Sequence, residues 1–223
     1  MGQPPGFFGK VPSHGDFVGR RLPPEVRQCF DDWLQASLVR SKQALGDEWL
    51  PIWLSSPLWR FVVGRGVCGE QAWAGVMMPS HDRVGRCFPL LLMAGIDGTP
   101  SLRDCMTVYE GWYERLEAMA LSALELGFSL DAFDAVPLAA TPPTTVRDSA
   151  GSAANPASRT MMQTRMDAPP VLADVEIAGR TAWWTSGSPR VTACLAVCDG
   201  FPPASSFASL LDGRWTERYW ASS

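Results

Sequence analysis

The sequence predicts a single α/β domain, and three observations support that prediction. The 223 residues suit one sizeable domain, and 46% of them are hydrophobic against 19% charged, which supplies a packed core and excludes a disordered chain. Two long segments have the apolar spacing of amphipathic helices. Between them, residues 88–94 are almost continuously apolar, as expected of a strand that is buried on both faces.

The first half of the chain predicts one helix and then three strands. The helix is predicted to begin at Pro23, with Pro24 suited to its first turn, and Gly46 is placed to stop it. Its apolar stripe consists of Val26, Phe30, Trp33, Leu34 and Leu38. The next segment, 49–53, is apolar but contains Pro51, so it predicts a short turn or irregular structure rather than a long helix. Strands are predicted at 58–63, 72–78 and 88–94.

The second half predicts a helix, a loop and a small C-terminal part. Ser101 opens the helix, with Asp104 in a capping-box position, and the helix ends before Gly127. A flexible loop rich in Pro, Ala and Thr is predicted at about 139–170, because it offers little to bury. The last part predicts strands at 182–185 and 191–197 and a short helix at 202–211. Because so short a part rarely folds alone, we expect its strands to join the first sheet, so that residues 1–223 form one domain interrupted by the loop.

The composition argues against several functional classes. Lys and Arg number 19 against 23 Asp and Glu, for a net charge of −4, whereas proteins that bind nucleic acid usually carry a basic excess. We therefore expect no nucleic-acid partner. No apolar run approaches the roughly 18 to 20 residues that span a bilayer, so no transmembrane segment is expected. The first residues lack the basic start and apolar stretch of a secretory signal, which predicts a cytoplasmic location.

The six cysteines are scattered, and no two form a C-x-x-C pair. In a cytoplasmic protein we interpret them as small buried hydrophobes rather than as disulfides or metal ligands. The chain has only two histidines, so a zinc site has few ligands to draw on. We expect no metal and no cofactor.

Residues 64–69 match the G-x-G-x-x-G pattern of dinucleotide sites and directly follow a predicted strand. Such a site needs a helix next, whose N-terminus holds the pyrophosphate, but residues 72–78 predict another strand. A glycine-rich hairpin is the better interpretation. Gly9 and Lys10 also lack the spacing of a P-loop, so nothing here predicts nucleotide hydrolysis.

The tripeptide Pro-Ser-His occurs twice, at 12–14 and 79–81, and an aspartate follows each copy closely. Serine, histidine and aspartate are the residue types of a hydrolase triad. Working triads are assembled from separate segments, however, and no G-x-S-x-G elbow accompanies either serine. We expect instead turns in which polar side chains bond nearby backbone amides, namely Ser13, Asp16, Ser80 and Asp82. Arg83 and Arg86 then pair with carboxylates, such as Asp16, and tie the two loops together.

The two loops form the candidate partner-binding surface, and its candidate residues are His14, Asp16, His81, Asp82, Arg83 and Arg86. The ten tryptophans allow further expectations. Trp183 and Trp184 are adjacent in a predicted strand, so they should face opposite sides of the sheet. Trp215 and Trp220 lie in a short polar segment, where they are either core residues or anchors for a partner.

Two ordered blocks of sequence carry a family resemblance. The first reads GFFGKVPS at 6–13 and GDFV at 15–18, and the second reads MPS at 78–80, DRVGR at 82–86 and FPL at 88–90. Together with SPLWRF between them, these segments resemble the TagF family, accessory proteins of the bacterial type VI secretion system. The part of the chain after Ala139 carries no such resemblance.

The resemblance implies a fold and a function. The fold is a three-layer αβα sandwich, a mixed sheet with helices on both faces, which agrees with apolar strands between amphipathic helices. The function is a non-enzymatic, post-translational repressor that holds the secretion system inactive by binding a component, the forkhead-associated scaffold protein. The resemblance implies no catalytic residue, and repression by binding needs only a partner surface.

Two alternatives stay open. A hydrolase or phosphatase-like enzyme would hold Ser13 or Ser80 within hydrogen-bond reach of a histidine that a third group orients. A small-molecule sensor would contain a deep apolar pocket lined by tryptophans.

Overall fold

The computed structural model describes residues 5–98, 101–135, 161–165, 177–218 and 220–222. The strands in chain order are β1 (Gly6–Gly9), β2 (Val18–Arg20), β3 (Trp59–Val63), β4 (Ala72–Met78), β5 (Leu90–Ile96), β6 (Met162–Arg165), β7 (Arg180–Thr185), β8 (Cys194–Asp199) and β9 (Ala221–Ser222). The helices are α1 (Pro24–Leu45), α2 (Trp49–Ser55), α3 (Leu102–Thr107), α4 (Glu110–Ser122), α5 (Leu130–Asp134) and α6 (Ala208–Asp212).

The described strands form one sheet in the order β2-β1-β5-β4-β3-β7-β8-β6-β9. Adjacent strands are antiparallel, except that β6 and β9 run parallel. β7 pairs with β3 and sets Trp183 opposite Phe61. The C-terminal strands therefore extend the sheet of the N-terminal part, as the sequence predicts.

Helices cover both faces of the sheet. On one face, α3, α4 and α5 contribute residues such as Trp112 to a buried cluster that includes Trp184. On the other face, α1, α2 and α6 contribute residues such as Phe30 to a second cluster that includes Trp183. Because Trp183 and Trp184 are adjacent in β7, they enter opposite clusters, as expected. The predicted three-layer α/β sandwich is confirmed.

The helix signals in the sequence are local and are mostly confirmed. α1 has Pro24 in its first turn and ends at Gly46, which has a φ of 54°. Ser101 caps α3 and forms a complete capping box with Asp104. The second long helix is nevertheless divided, because Tyr109 adopts φ −90° and ψ 3° between α3 and α4.

Two other predictions differ from the structure, and one open alternative is decided. Segment 49–53 belongs to the helix α2, where Pro51 lies in the first turn and its missing N–H breaks no helical hydrogen bond. Strand β6 lies inside the predicted loop at 139–170, and apart from Met161 the rest of that loop lies outside the described residues. Of the two alternatives for Trp215 and Trp220, the structure shows core residues, because both are buried and their rings meet edge to face.

The cysteine prediction is wrong for one pair. Cys29 on α1 and Cys68 before β4 form a disulfide across a sequence separation of 39. Spacing along the chain does not reveal this pair, because the two thiols meet only when the turn after β3 folds against α1. Cys105, Cys194 and Cys198 are buried, as predicted. Burial raises the pKa of the Cys105 and Cys198 thiols to about 12.

The segment 64–71 is the turn of a β-hairpin, as predicted, and strand β4 follows it. The Gly66 amide donates to the Gly69 carbonyl, and Gly66 has a φ of 87°, which favours glycine. The Gly64 amide donates to the Arg180 carbonyl, so the turn lies against the start of β7.

Of the helices in the described ranges, none combines the length and the hydropathy that a bilayer crossing requires.

Candidate functional site

Two loops meet at one end of the sheet. Loop 1 (residues 10–17) joins β1 to β2, and loop 2 (residues 79–89) joins β4 to β5. β1 and β5 are antiparallel neighbours, so loop 1 begins where loop 2 ends. Gly9 has a φ of 146°, and a Cβ there would lie 2.1 Å from the Pro89 carbonyl oxygen. Only glycine permits this close approach.

Asp82 of loop 2 holds the junction together, and its side chain is fully buried. Its Oδ2 accepts hydrogen bonds from Lys10 Nζ at 2.8 Å and from Arg86 Nε at 2.6 Å. Its Oδ1 accepts the backbone amides of Val84 at 3.1 Å and of Arg86 at 2.8 Å. Burial alone would raise the pKa of Asp82, but these donors outweigh it and hold the pKa well below its ordinary value. Asp82 is therefore a carboxylate at neutral pH.

Loop 2 also bonds to the backbone of loop 1. The Arg83 amide donates to the His14 carbonyl at 2.8 Å, and the Arg86 guanidinium donates to the Gly15 carbonyl. The two loops are thus tied together, as expected, but not through Asp16. Arg86 pairs with Asp82, which stands four residues away on the same turn, while Asp16 is exposed. Arg83 forms no ion pair with any residue that the structure describes.

The junction presents a mixed basic and apolar surface. Val84 at the tip of loop 2 is 68% exposed, and the Arg86 side chain is 60% exposed. Phe17 is 47% exposed, although its ring stacks on Phe8 at 5.3 Å and meets Phe88 edge-on at 4.9 Å. The other candidate residues differ in exposure, with Arg83 and Asp16 exposed, His14 and His81 half-buried and Asp82 in the interior.

The serines and histidines of the loops do not form a triad. Ser13 Oγ lies 2.9 Å from His14 Nδ1, and within the described ranges no third group bonds to the His14 ring. Ser80 is buried, and its hydroxyl has no hydrogen-bond partner there. His81 Nδ1 lies 2.9 Å from the Asp82 carbonyl oxygen rather than from a serine. A triad requires the imidazole to link a nucleophile to an orienting group, which neither loop provides in the described part of the chain.

A cleft of about 260 Å³ lies beside loop 1, between the end of α4 and α5. Phe128 lines it, and its ring meets His14 edge-on at 6.3 Å. No tryptophan lines this cleft, which differs from the deep aromatic pocket expected of a small-molecule sensor. The described residues also contain no group of three side chains suited to hold a metal ion.

Sequence reasoning missed the contributions of Lys10, Phe17 and Val84. In the sequence, Lys10 follows Gly9 but lacks the spacing of a P-loop, so it predicts no role. In the structure, Lys10 is buried and donates a hydrogen bond to Asp82. Phe17 and Val84 are apolar residues inside otherwise polar turns, and that contrast was the available signal. Their exposure depends on how the two loops pack, which the sequence does not show.

Comparisons with known proteins agree with the fold. A family model described as the TagF N-terminal domain, type VI secretion system-associated, matches residues 6–138. The chain is also similar to PA0076 from Pseudomonas aeruginosa PAO1, known from a crystal structure, with 33% sequence identity and a TM-score of 0.75. That match covers 94% of this chain and 94% of PA0076. Among curated proteins, none matches the chain.

Proposed function

The chain belongs to the TagF family of type VI secretion system-associated proteins, and on that premise we propose that it is a non-enzymatic, post-translational repressor of this secretion system. It acts in the cytoplasm by binding a secretion component, for which we propose the forkhead-associated scaffold protein. The observation that carries the proposal is the family match at 6–138, which contains loop 1 and loop 2 in full.

The ion cluster of Lys10, Asp82 and Arg86 supports a role in binding. Taking charges out of water costs several kcal/mol per ion, so the buried pair of Lys10 and Asp82 is an inefficient way to gain stability alone. Here Lys10, Asp82 and Arg86 hold two loops in one arrangement, with Arg83, Val84 and Phe17 outside. A surface that is rigid before binding loses less conformational entropy when a partner arrives.

The serine contacts support a non-enzymatic role. Ser13 and His14 are adjacent, and their contact needs no particular fold. A nucleophile of this kind is weak unless the base is itself oriented by another group. Because Ser13 would be the nucleophile of this contact, substitution of Ser13 tests the hydrolase alternative.

Calorimetric titration of the purified chain with the purified forkhead-associated scaffold tests the proposal. We expect direct binding, and we expect secretion to fall when the chain is expressed in cells with an active type VI system. If the folded chain does not bind the scaffold, the direct-contact mechanism is wrong. Ser13→Ala, which changes a residue outside the candidate partner-binding set, should keep both binding and repression. Loss of repression with binding intact would favour the hydrolase.

The redox state of Cys29 and Cys68 in the cell provides a separate test of the cytoplasmic location. Cytoplasmic proteins rarely keep disulfides, because thioredoxin and glutathione reduce them. Acid quenching of cells followed by alkylation reports whether these two cysteines are reduced thiols inside the cell. Two alkylated thiols would support a cytoplasmic location, and an intact disulfide would count against it.

A further inference from the structure

We propose that the partner docks through an acidic protein segment, which pairs with the arginines of loop 2 and lays an apolar side chain across Phe17 and Val84. This inference rests on the proposed function and adds the chemistry of the partner and the position of its contact. It follows from the charge, the rigidity and the composition of the surface that the two loops form.

The loop surface is positive on a negative protein. The whole chain has a net charge of −4, yet loops 1 and 2 carry three cations, Lys10, Arg83 and Arg86, against two carboxylates. One of these carboxylates, Asp82, is buried and already bonded to two of the cations. Asp16 is therefore the exposed negative charge of the two loops. The surface favours an acidic partner, because complementary charge guides and selects association.

Arg83 is the cation most available to such a partner. It is exposed, and it forms no ion pair with any residue in the described ranges. Its guanidinium lies beside Gly15, where a Cβ would be 3.6 Å from the nearer nitrogen. Among the bonds that the described ranges show, Arg83 takes part in the junction through its backbone amide, which donates to the His14 carbonyl. The side chain is therefore free to bind a carboxylate without disturbing the loops.

The arginine is presented on a rigid turn. The Gly85 amide donates to the Asp82 carbonyl, and Gly85 has a φ of 83°, which suits glycine. The Val84 and Arg86 amides bond to the Asp82 side chain, so most donors of the turn are satisfied internally. The turn loses little freedom on binding, which leaves more of the contact energy for affinity.

Phe17 supplies the apolar part of the surface. Its ring is fixed by Phe8 and Phe88, and Lys10 Nζ lies 5.1 Å from its centre. The guanidinium of Arg27, which is also exposed, lies 5.8 Å from the centre of the Phe8 ring. Aromatic residues are enriched in protein interfaces, and here a partly exposed ring is held in place by two other aromatic rings.

The test measures scaffold binding by the folded full chain in calorimetry at two or more salt concentrations. We expect Arg83→Glu to weaken binding about tenfold or more, the change worth about 1.4 kcal/mol, and to reduce its salt dependence. Phe17→Ala should weaken binding without changing the salt dependence. Arg115→Glu is the matched control, because Arg115 is an exposed arginine on α4, and it should bind like the parent chain. A compensating Glu→Lys or Asp→Lys change in the scaffold should restore binding to the Arg83→Glu variant.

The outcomes separate the inference from the proposed function. If the parent chain does not bind the scaffold, the proposed function fails and the inference with it. If the parent binds and both loop variants bind equally well, the function stands and this surface is wrong. If nuclease treatment abolishes binding, the surface takes nucleic acid rather than an acidic protein segment, and the inference is overturned. Because Arg83 and Phe17 are outside the ion cluster, circular dichroism should show both variants folded.

Discussion

The two ends of strand β4 are fastened in different ways. Before β4, the turn at 64–71 is linked to α1 by the disulfide between Cys29 and Cys68. After β4, loop 2 is linked to loop 1 by the ion cluster around Asp82. One end is held by a covalent bond, and the other by hydrogen bonds and ion pairs to the carboxylate of Asp82. The first end should therefore loosen in reductant, and the second in acid.

The largest effect is expected from removing the covalent link. The double substitution Cys29→Ala and Cys68→Ala should lower the free energy of unfolding by about 2 to 4 kcal/mol, because the unfolded chain gains freedom when the loop is opened. Urea denaturation in non-reducing buffer measures this. The variant and the parent should become similar once both are measured in reductant.

Cys87→Ala provides the matched control, since Cys87 is a free, half-buried cysteine in loop 2. Its effect should be about 1 kcal/mol or less and should not depend on reductant. A double variant as stable as the parent in non-reducing buffer would show that the disulfide does not stabilise this end of β4.

The second-largest effect on stability is expected in acid, at the end of β4 where Asp82 holds loops 1 and 2 together. The pKa of Asp82 is held below its unfolded value, so its charge adds stability that is fully present above about pH 4 and is lost as the pH falls towards the folded pKa. Asp82→Asn keeps the shape but removes the charge. The variant should be less stable at neutral pH, and the gap to the parent should begin to narrow below about pH 4 and keep narrowing towards the folded pKa.

Thermal unfolding between neutral pH and pH 3 checks this, with Asp16→Asn as control. Asp16 is the exposed carboxylate of loop 1, and its substitution should leave the pH profile parallel to that of the parent. A constant gap between Asp82→Asn and the parent at every pH would contradict the ionic account. The Cys29 and Cys68 double variant should keep the acid sensitivity of the parent, because a disulfide does not titrate.

The smallest effect is expected at Ser80, next to Asp82. Its hydroxyl is buried without a partner in the described structure, so Ser80→Ala should change the free energy of unfolding by about 1 kcal/mol or less, towards greater stability. Ser41→Ala is the comparison, because the buried Ser41 hydroxyl accepts from Trp49 Nε1 and donates to the Leu38 carbonyl. That variant should lose about 1 to 3 kcal/mol. Equal losses in chemical denaturation would mean that Ser80 Oγ does have a partner.

The identical tripeptides at 12–14 and 79–81 show where sequence reasoning stops. Both predict turns, and both lie in turns or loops. Yet Ser13 is exposed beside His14, while Ser80 is buried and its carbonyl accepts from Trp53 Nε1. The difference comes from position in the fold, because loop 2 leaves a central strand and loop 1 joins strands at the sheet edge.

Short stretches of the chain specify the local structure and the family. β4 begins and ends at the predicted residues, α1 begins one residue after its predicted start, and Ser101 forms the predicted capping box, since these signals depend on neighbours within a few residues. The contacts of Cys29 with Cys68 and of Lys10 with Asp82 arise only in the folded chain, because these pairs are separated by 39 and 72 residues. Such contacts depend on strand order and loop packing, and periodicity along the chain carries no information about either.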